Sequence, residues 1–573
     1  MAGDVRSAQR VAALEQQLGD PWDTANPTGF AAILAADERE EVFQAGEQAL
    51  DRCGTAAELV PVASGGRLAG MDQLIRVTRP VCRRDLALWL GYGGGPFIAT
   101  QNVWAAGDTD QRRTVADLVL GGGRIAAAYH ELDHGSDFLR ADLHARQVDS
   151  GLVLTGRKEI ITNAARARYM VVFARTGAML SPWSHSQLLV DMAAVPPDRV
   201  RHLDRFPAAG MRGVQLGGVE FLDCPVPSGS LLGAMGRGVS TALRSFQVTR
   251  VMLPAMATAS LDTGLRVAQR LGVRRRLDGR LVADLPAWRQ SLVDAFVDLL
   301  ICDAFTTVAA RGLHLLPGEA SLHSAAVKYL VPGYLVGAMR RLSVLLGASF
   351  YLRTGPYAIF QKHLRDLPPA LFGHAPRAAC LAALLPKLPT LARRAWPSGE
   401  PAPGTLYELG TDVPELPYHQ LSVSGNGRDS LSASLAAVCA ALAGAGGEHQ
   451  EVAALAAAFL AELRDLTPLC AGLAAEDLTP NARPAAFDLA ARYATVLAAS
   501  ACLNVWWAAG GAGFAGDVHW IAAALRRLRR GVAQPAEPAS EPSRYTSDPL
   551  WRELTSRFDG GQSFDLAAGP VAG

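Results

Sequence analysis

The feature that most constrains this chain is a change of period in its middle. Residues 1–125 carry apolar residues at helical spacing, as in Phe30-Ala31-Ala32-Ile33-Leu34 and again around Val115, Leu118 and Leu120. Over 126–235 the pattern breaks into short β-prone runs, Gly151 to Thr155, Tyr169 to Phe173 and Gln187 to Asp191, separated by Gly, Asp and Pro turns. Over 236–393 long helices return, with an apolar series at i, i+3, i+4 and i+7 from Leu292. Strands this short and frequent predict a small β-barrel or sandwich between two helical domains, an α+β fold.

Punctuation divides the rest. Pro397, Pro401 and Pro403 predict a linker over 394–416. Residues 417–533 are Ala/Leu-rich and helical and close on Arg526-Arg-Leu-Arg-Arg530, while 534–573 predict a partly disordered tail. Lys+Arg 55 against Asp+Glu 54 leaves no global positive field, which removes the drive to coat nucleic acid and favours a small-molecule enzyme. The first twenty residues lack the apolar core of a secretory signal. No stretch approaches the roughly 18 consecutive apolar residues of an integral membrane helix, the nearest being Leu435 to Gly447. Eight cysteines are scattered without a C-x-x-C pair, which fits reduced thiols in a cytoplasmic protein.

His130-Glu-Leu-Asp-His134 fits the H-E-x-x-H zinc signature, which works only on a helix where both imidazoles share a face. Gly135-Ser136-Asp137 follows at once and favours a turn, so no metal is expected. The same residues sit in a longer pattern. Ala127-Ala-Tyr-His-Glu-Leu-Asp-His-Gly-Ser-Asp137 is followed by Leu154-Thr-Gly-Arg-Lys-Glu-Ile-Ile-Thr-Asn-Ala164. A loop of small and hydroxyl residues followed by a strand end offers N–H groups and hydroxyls to a polar cofactor, and equally describes two ordinary turns.

In register over about residues 100–370, these motifs resemble the acyl-CoA dehydrogenase family. Gly107-Asp-Thr-Asp-Gln-Arg-Arg113, Gly210-Met-Arg-Gly213, Val219-Glu-Phe-Leu-Asp-Cys-Pro-Val-Pro227, Leu232-Gly-Ala-Met-Gly-Arg-Gly238 and Phe246-Gln-Val-Thr-Arg250 follow in the family's order. The resemblance implies a four-helix bundle after the β-barrel, an FAD cofactor, and α,β-dehydrogenation of an acyl-CoA or acyl carrier protein thioester in fatty acid or polyketide metabolism. It also implies a homo-oligomer, and leaves the electron acceptor open between a flavoprotein and oxygen. By the same resemblance Tyr129, His130, Ser136, Ile160, Ile161 and Thr162 would line the flavin. Arg275 would reach the FAD of a neighbouring subunit, and Ser136, Gln247 and Arg250 would meet substrate. The region 417–533 looks similar to the extra helical domain of acyl-CoA oxidases and very-long-chain dehydrogenases.

Departures from the pattern are numerous. Ile160 replaces a tryptophan, Leu132 a proline, Asp278 a phenylalanine and Gln247 an aspartate. The family's catalytic glutamate follows an R-D pair, here Arg365-Asp366; counting without a gap puts His374 there, and a one-residue shift puts Gly373 there. The alternative position on the helix of Arg250 is Thr249. His374 is therefore the candidate base, since imidazole titrates near neutrality. Two further readings stay open: a flavin monooxygenase of the same fold, which needs no α-proton base, and a binding protein without catalysis.

Overall fold

The computed structural model describes residues 2–135, 137–373, 375–531 and 548–573. The N-terminal region is helical: α1 (Ala2–Leu18), α2 (Phe30–Glu38), α3 (Gln44–Arg52), α4 (Met71–Arg84), α5 (Leu86–Trp89), α6 (Gly95–Ala106) and α7 (Thr109–Leu120). A π turn over Leu90–Gly94 joins α5 to α6. At the start of α7, Asp108 and Gln111 form a reciprocal capping box, which satisfies two otherwise orphaned N–H groups.

The β domain comprises β1 (Ile125–Ala128), β2 (His144–Val148), β3 (Gly151–Thr162), β4 (Tyr169–Arg175), β5 (His185–Asp191), β6 (Val200–Leu203), β7 (Leu216–Val226) and β8 (Leu231–Leu232). They form one sheet in the order β6-β7-β3-β2-β4-β5-β8, with β1 added parallel to β4. Inward residues including Leu154, Ile161, Val172 and Phe221 build its separate core.

The long-helix bundle follows: α8 (Gly238–Gly272), α9 (Pro286–Leu315), α10 (Ala320–Leu346) and α11 (Ala358–Phe372). Between α8 and α9 a small hairpin, β9 (Arg276–Leu277) and β10 (Arg280–Leu281), turns on Asp278 and Gly279, both at positive φ. Then come α12 (Arg377–Leu384), α13 (Leu388–Thr390) and α14 (Trp396–Ser398). The proline-rich stretch beyond is strapped down. Arg311, fully buried on α9, donates to the carbonyls of Thr405, Leu406 and Thr411 and pairs with Asp72 at 2.7 Å.

The C-terminal region consists of α15 (Ser430–Ala441), α16 (Gln450–Ala471), α17 (Pro484–Ala509), α18 (Val518–Arg529) and α19 (Asp548–Asp559). Leu435 to Gly447 begins within the shorter apolar helix α15, and among the described residues α17 is the helix long and apolar enough to compare with a membrane span. By length and composition α17 passes for a membrane span, but it lies mostly buried as a core helix. The basic run of α18 turns partly inward, with Arg527 on Asp298 at 2.7 Å and Arg526 on Glu451 at 2.9 Å. Of the tail predicted as partly disordered, 534–547 lie outside the described residues, whereas 548–573 fold onto the bundle. Phe564 N donates to Asp262, and Asp565 pairs with Arg79 at 2.6 Å.

Candidate active site

A cavity of about 640 Å³ opens where the N-terminal helices, the β domain and the bundle meet. One wall is built from β1 and β3. Alternation along β3 turns Ile160 and Thr162 toward the cavity and sends the intervening Ile161, fully buried, into the β-domain core. The Ile161 side chain therefore does not line the cavity. Ala127, Tyr129 and His130 complete this wall. The Tyr129 hydroxyl donates to Asn102 Oδ1 at 2.7 Å and accepts from Gln187 at 2.8 Å, and its ring stacks 5.4 Å from Phe173. Burial holds its phenol protonated, with the pKa well above the ordinary value.

His130 bridges Ile160 through the main chain, and its Nδ1 lies 3.1 Å from the Gly135 carbonyl. Burial lowers its pKa, so the ring is neutral at pH 7. The next residue, Glu131, is a staple. It accepts from Asp142 N at 2.7 Å, Leu143 N at 3.1 Å and the fully buried Lys158 Nζ at 2.8 Å. Lys158 also donates to the Tyr129 carbonyl at 3.1 Å, tying the loop to β3. Burial raises the Glu131 carboxyl pKa, but Lys158 and the two amides outweigh it and leave it below the usual carboxylate range.

That staple accounts for the H-E-x-x-H match. His130 to His134 form a turn, not a helix. Ligand atoms of Glu131, His134 and Asp142 do lie within 4.8 Å of one another. Yet Glu131 already has its cation in Lys158, and no second sign of a metal accompanies the cluster.

Helices α5 and α6 close a second side, and their glycines are what permit it. A Cβ on Gly95 would stand 2.7 Å from Thr162 Cγ2, and Asn163 Nδ2 donates to the Gly91 carbonyl at 2.6 Å. The run Gly91-Tyr-Gly-Gly-Gly95 was a signal for this close approach that sequence reasoning passed over.

The third wall is α11, which contributes Arg365, Pro368, Pro369 and Phe372, followed by Gly373. Here the R-D pair is a clasp between domains. Asp366 accepts from Met211 N at 2.7 Å and from Lys362 Nζ at 2.7 Å; Lys362 also reaches Asp85 at 2.5 Å, and Arg365 reaches Asp37 at 2.6 Å. Burial opposes the Asp366 charge, but Lys362 and Arg365 prevail and hold its pKa below the usual value.

Other predicted residues sit elsewhere. Gln247 is buried and accepts from the Ser324 hydroxyl, and Arg250 lies 5.9 Å over the Phe246 ring. Both precede the α8 residues that line the cavity, Leu253, Met256 and Ala257. Arg275 is exposed beside the β9–β10 hairpin and does not line this cavity. Ser136 and His374 lie outside the described residues. Among the described lining residues none is an aspartate or glutamate; the ionisable ones are Tyr129, His130 and Arg365.

A flat, mostly apolar ring with polar edges fits this slot. Its lining is apolar apart from the Thr162 hydroxyl, Tyr129, His130, Arg365 and main-chain groups. Beside the wall the buried Gln187 Oε1 lacks a hydrogen-bond partner.

Helical, β and helical domains around a shared cavity define a class of fold, and comparison with known proteins agrees. Residues 126–224 match the acyl-CoA dehydrogenase middle domain, and 236–373 match the acyl-CoA dehydrogenase C-terminal domain. Over these two segments the chain carries acyl-CoA dehydrogenase middle and C-terminal domains. Mitochondrial isovaleryl-CoA dehydrogenase of Bos taurus is 24% identical over 287 residues, 48% of this chain and 67% of that protein. For the Oryza sativa protein of the same name the match spans 61% of its length, so about two thirds of these relatives is represented. Butyryl-CoA dehydrogenase from Megasphaera elsdenii superposes with a TM-score of 0.60 at 17% identity, covering 66% of this chain and 96% of that one. The prolyl acyl carrier protein oxidase AnaB gives 0.58 at 17% identity, covering 66% and 97%.

Proposed function

We propose that this protein is an FAD-dependent oxidoreductase that forms an α,β double bond in an acyl thioester carried by CoA or an acyl carrier protein. The carrying observation is the junction cavity, whose β-domain wall holds the family's flavin-loop and strand-end motifs opposite an apolar bundle wall. Bound FAD would take up the hydride leaving the β carbon. The chain does the rest. Ile160, Thr162, Tyr129 and His130 would hold the ring, and neutral His130 would add no positive charge beside it. Met256, Pro368, Pro369 and Phe372 give an acyl chain a dry surface and exclude water.

The α proton must leave on the face opposite the hydride, so its acceptor belongs on the bundle side. No carboxylate lines the cavity among the described residues. Phe372 and Gly373 do, and His374 is next in sequence. His374 is assigned as the base that receives this proton on an imidazole nitrogen. Replacing His374 with Ala is expected to slow flavin reduction by about 10² to 10⁴-fold without loss of bound flavin; an unchanged rate would remove the assignment. Monooxygenase chemistry is the second reading, favoured by the same lack of a lining carboxylate. It would show as turnover that requires both an external reductant and oxygen.

A further inference from the structure

Apart from the junction cavity, a second cavity of about 430 Å³ lies between the start of α10, the α12–α13 turn and the loop 423–428. Its charges do not balance. Lys387 is 9% exposed, and among the described residues its hydrogen bond runs to the Ala383 carbonyl in the preceding turn. Burial, reinforced by the charge of Arg250, pushes its pKa down to about 8. Arg428 stands exposed at the rim.

The one lining carboxylate, Glu319, is committed. It accepts from Ser430 N at 2.9 Å and Ser430 Oγ at 2.7 Å, and lies 3.5 Å from His323 Nε2. Deeper along the same face of α10, seven residues after the lining Ser321, sits Lys328. It is fully buried, and its Nζ has no hydrogen-bond partner. Arg250 on α8 is its electrostatic neighbour and also leaves Nε unpaired. No carboxylate compensates Arg250, Lys328 or Lys387 among the described residues. Uncompensated buried cations are unfavourable unless an anion joins them.

The loop is shaped to approach them. A Cβ on Gly425 would stand 3.0 Å from Lys387 Cγ, and Gly427 has φ +74°. Ser321 Oγ bonds the Ser424 carbonyl at 3.2 Å, fixing the loop to α10. Ser424, Thr390 and Asn426 add polar groups to the lining.

We infer that this cavity binds the phosphate group of a phosphate ester, with Lys387 and Arg428 as its charged contacts and Lys328 and Arg250 supplying the field behind them. The phosphate could belong to the CoA portion of a thioester or to a free nucleotide. The inference stands apart from the thioester reading, because it concerns residues that do not line the junction cavity.

The test is calorimetric titration of the full-length protein with inorganic pyrophosphate, CoA and ADP. Wild type should bind pyrophosphate saturably, and Lys387→Gln and Arg428→Gln should each weaken it at least about tenfold, with Lys387→Arg restoring most of the affinity. CoA binding tighter than ADP assigns the phosphate to the thioester arm; the reverse order assigns it to a nucleotide, and either supports the site. Absence of saturable pyrophosphate binding, or Lys387→Gln and Arg428→Gln proteins of wild-type thermal stability that bind it within about twofold of wild type, overturns the proposal. Flavin bleaching by thioesters in those variants is read separately, so failure here leaves the catalytic assignment intact.

Discussion

Two lysines in one helical bundle have opposite surroundings. Lys362 on α11 is ringed by Asp37, Asp85 and Asp366, and those three charges overcome burial and lift its pKa above the ordinary value. Lys328 on α10 is equally buried and faces no acid among the described residues; burial, with Arg250 adding to it, lowers its pKa to about 7. Burial alone therefore says little about a lysine's job. Lys362 closes a clasp joining the N-terminal helices, the loop at Met211 and α11, which shapes the junction cavity. Lys328 closes no contact among the described residues, and the proposed anion would sit beside its cluster.

Breaking the clasp should have the largest effect. Lys362→Met leaves three buried aspartates without their shared cation, and urea unfolding should show a loss of about 3–5 kcal/mol. A loss under about 1 kcal/mol would mean the ring is not a clasp.

Acid should act next. His363, fully buried near the clasp, has its pKa held down to about 4, against about 6.5 when unfolded. The unfolded chain therefore binds the extra proton first, so the His363 contribution is full above about pH 6.5 and falls by up to about 1.4 kcal/mol per pH unit toward pH 4, with His185, also held down to about 4, adding its own loss over the same range. Glu131 and Asp366, whose folded pKa values are depressed, add their loss only below their unfolded values of roughly 4. Replacing His363 with Gln should reduce the slope between pH 6.5 and 4 by about one proton's share, as followed by thermal melts. An undiminished slope would place the titrating group elsewhere.

The smallest effect sharpens the contrast. Lys328→Met removes a charge that has no partner to lose, so unfolding free energy should change by less than about 1 kcal/mol or rise. A drop as large as that of Lys362→Met would show an anionic partner within the chain and remove the contrast.

Much of the fold was legible because its signal is local. Helical spacing before 125 and after 236, and short strand-like runs between, survive as seven helices, eight strands and a long-helix bundle. The site was legible only in part. The sequence order of motifs located the β wall, and strand alternation separates Ile160 and Thr162 from Ile161 once the strand is drawn. By contrast, the clasp joins Asp37 to Arg365 and Asp85 to Lys362 across hundreds of residues, a pairing no local pattern carries. The Arg365-Asp366 motif was read as a marker for a base that follows it, while its own work is structural. His130 to His134 was ambiguous for the opposite reason: a short motif matches zinc chemistry until Lys158, twenty-seven residues after Glu131, is seen to occupy that carboxylate.

The central claim is that the junction cavity oxidises an acyl thioester with a base on the bundle side. Its most direct test is the visible absorption spectrum of the purified protein, recorded anaerobically while acyl-CoAs are added to wild type and His374→Ala. The account predicts flavin bands in both, rapid bleaching in wild type without added reductant, and bleaching slowed by about 10² to 10⁴-fold in the variant. A wild-type protein that carries flavin, yet bleaches only with an external reductant and turns over only with oxygen, would contradict it.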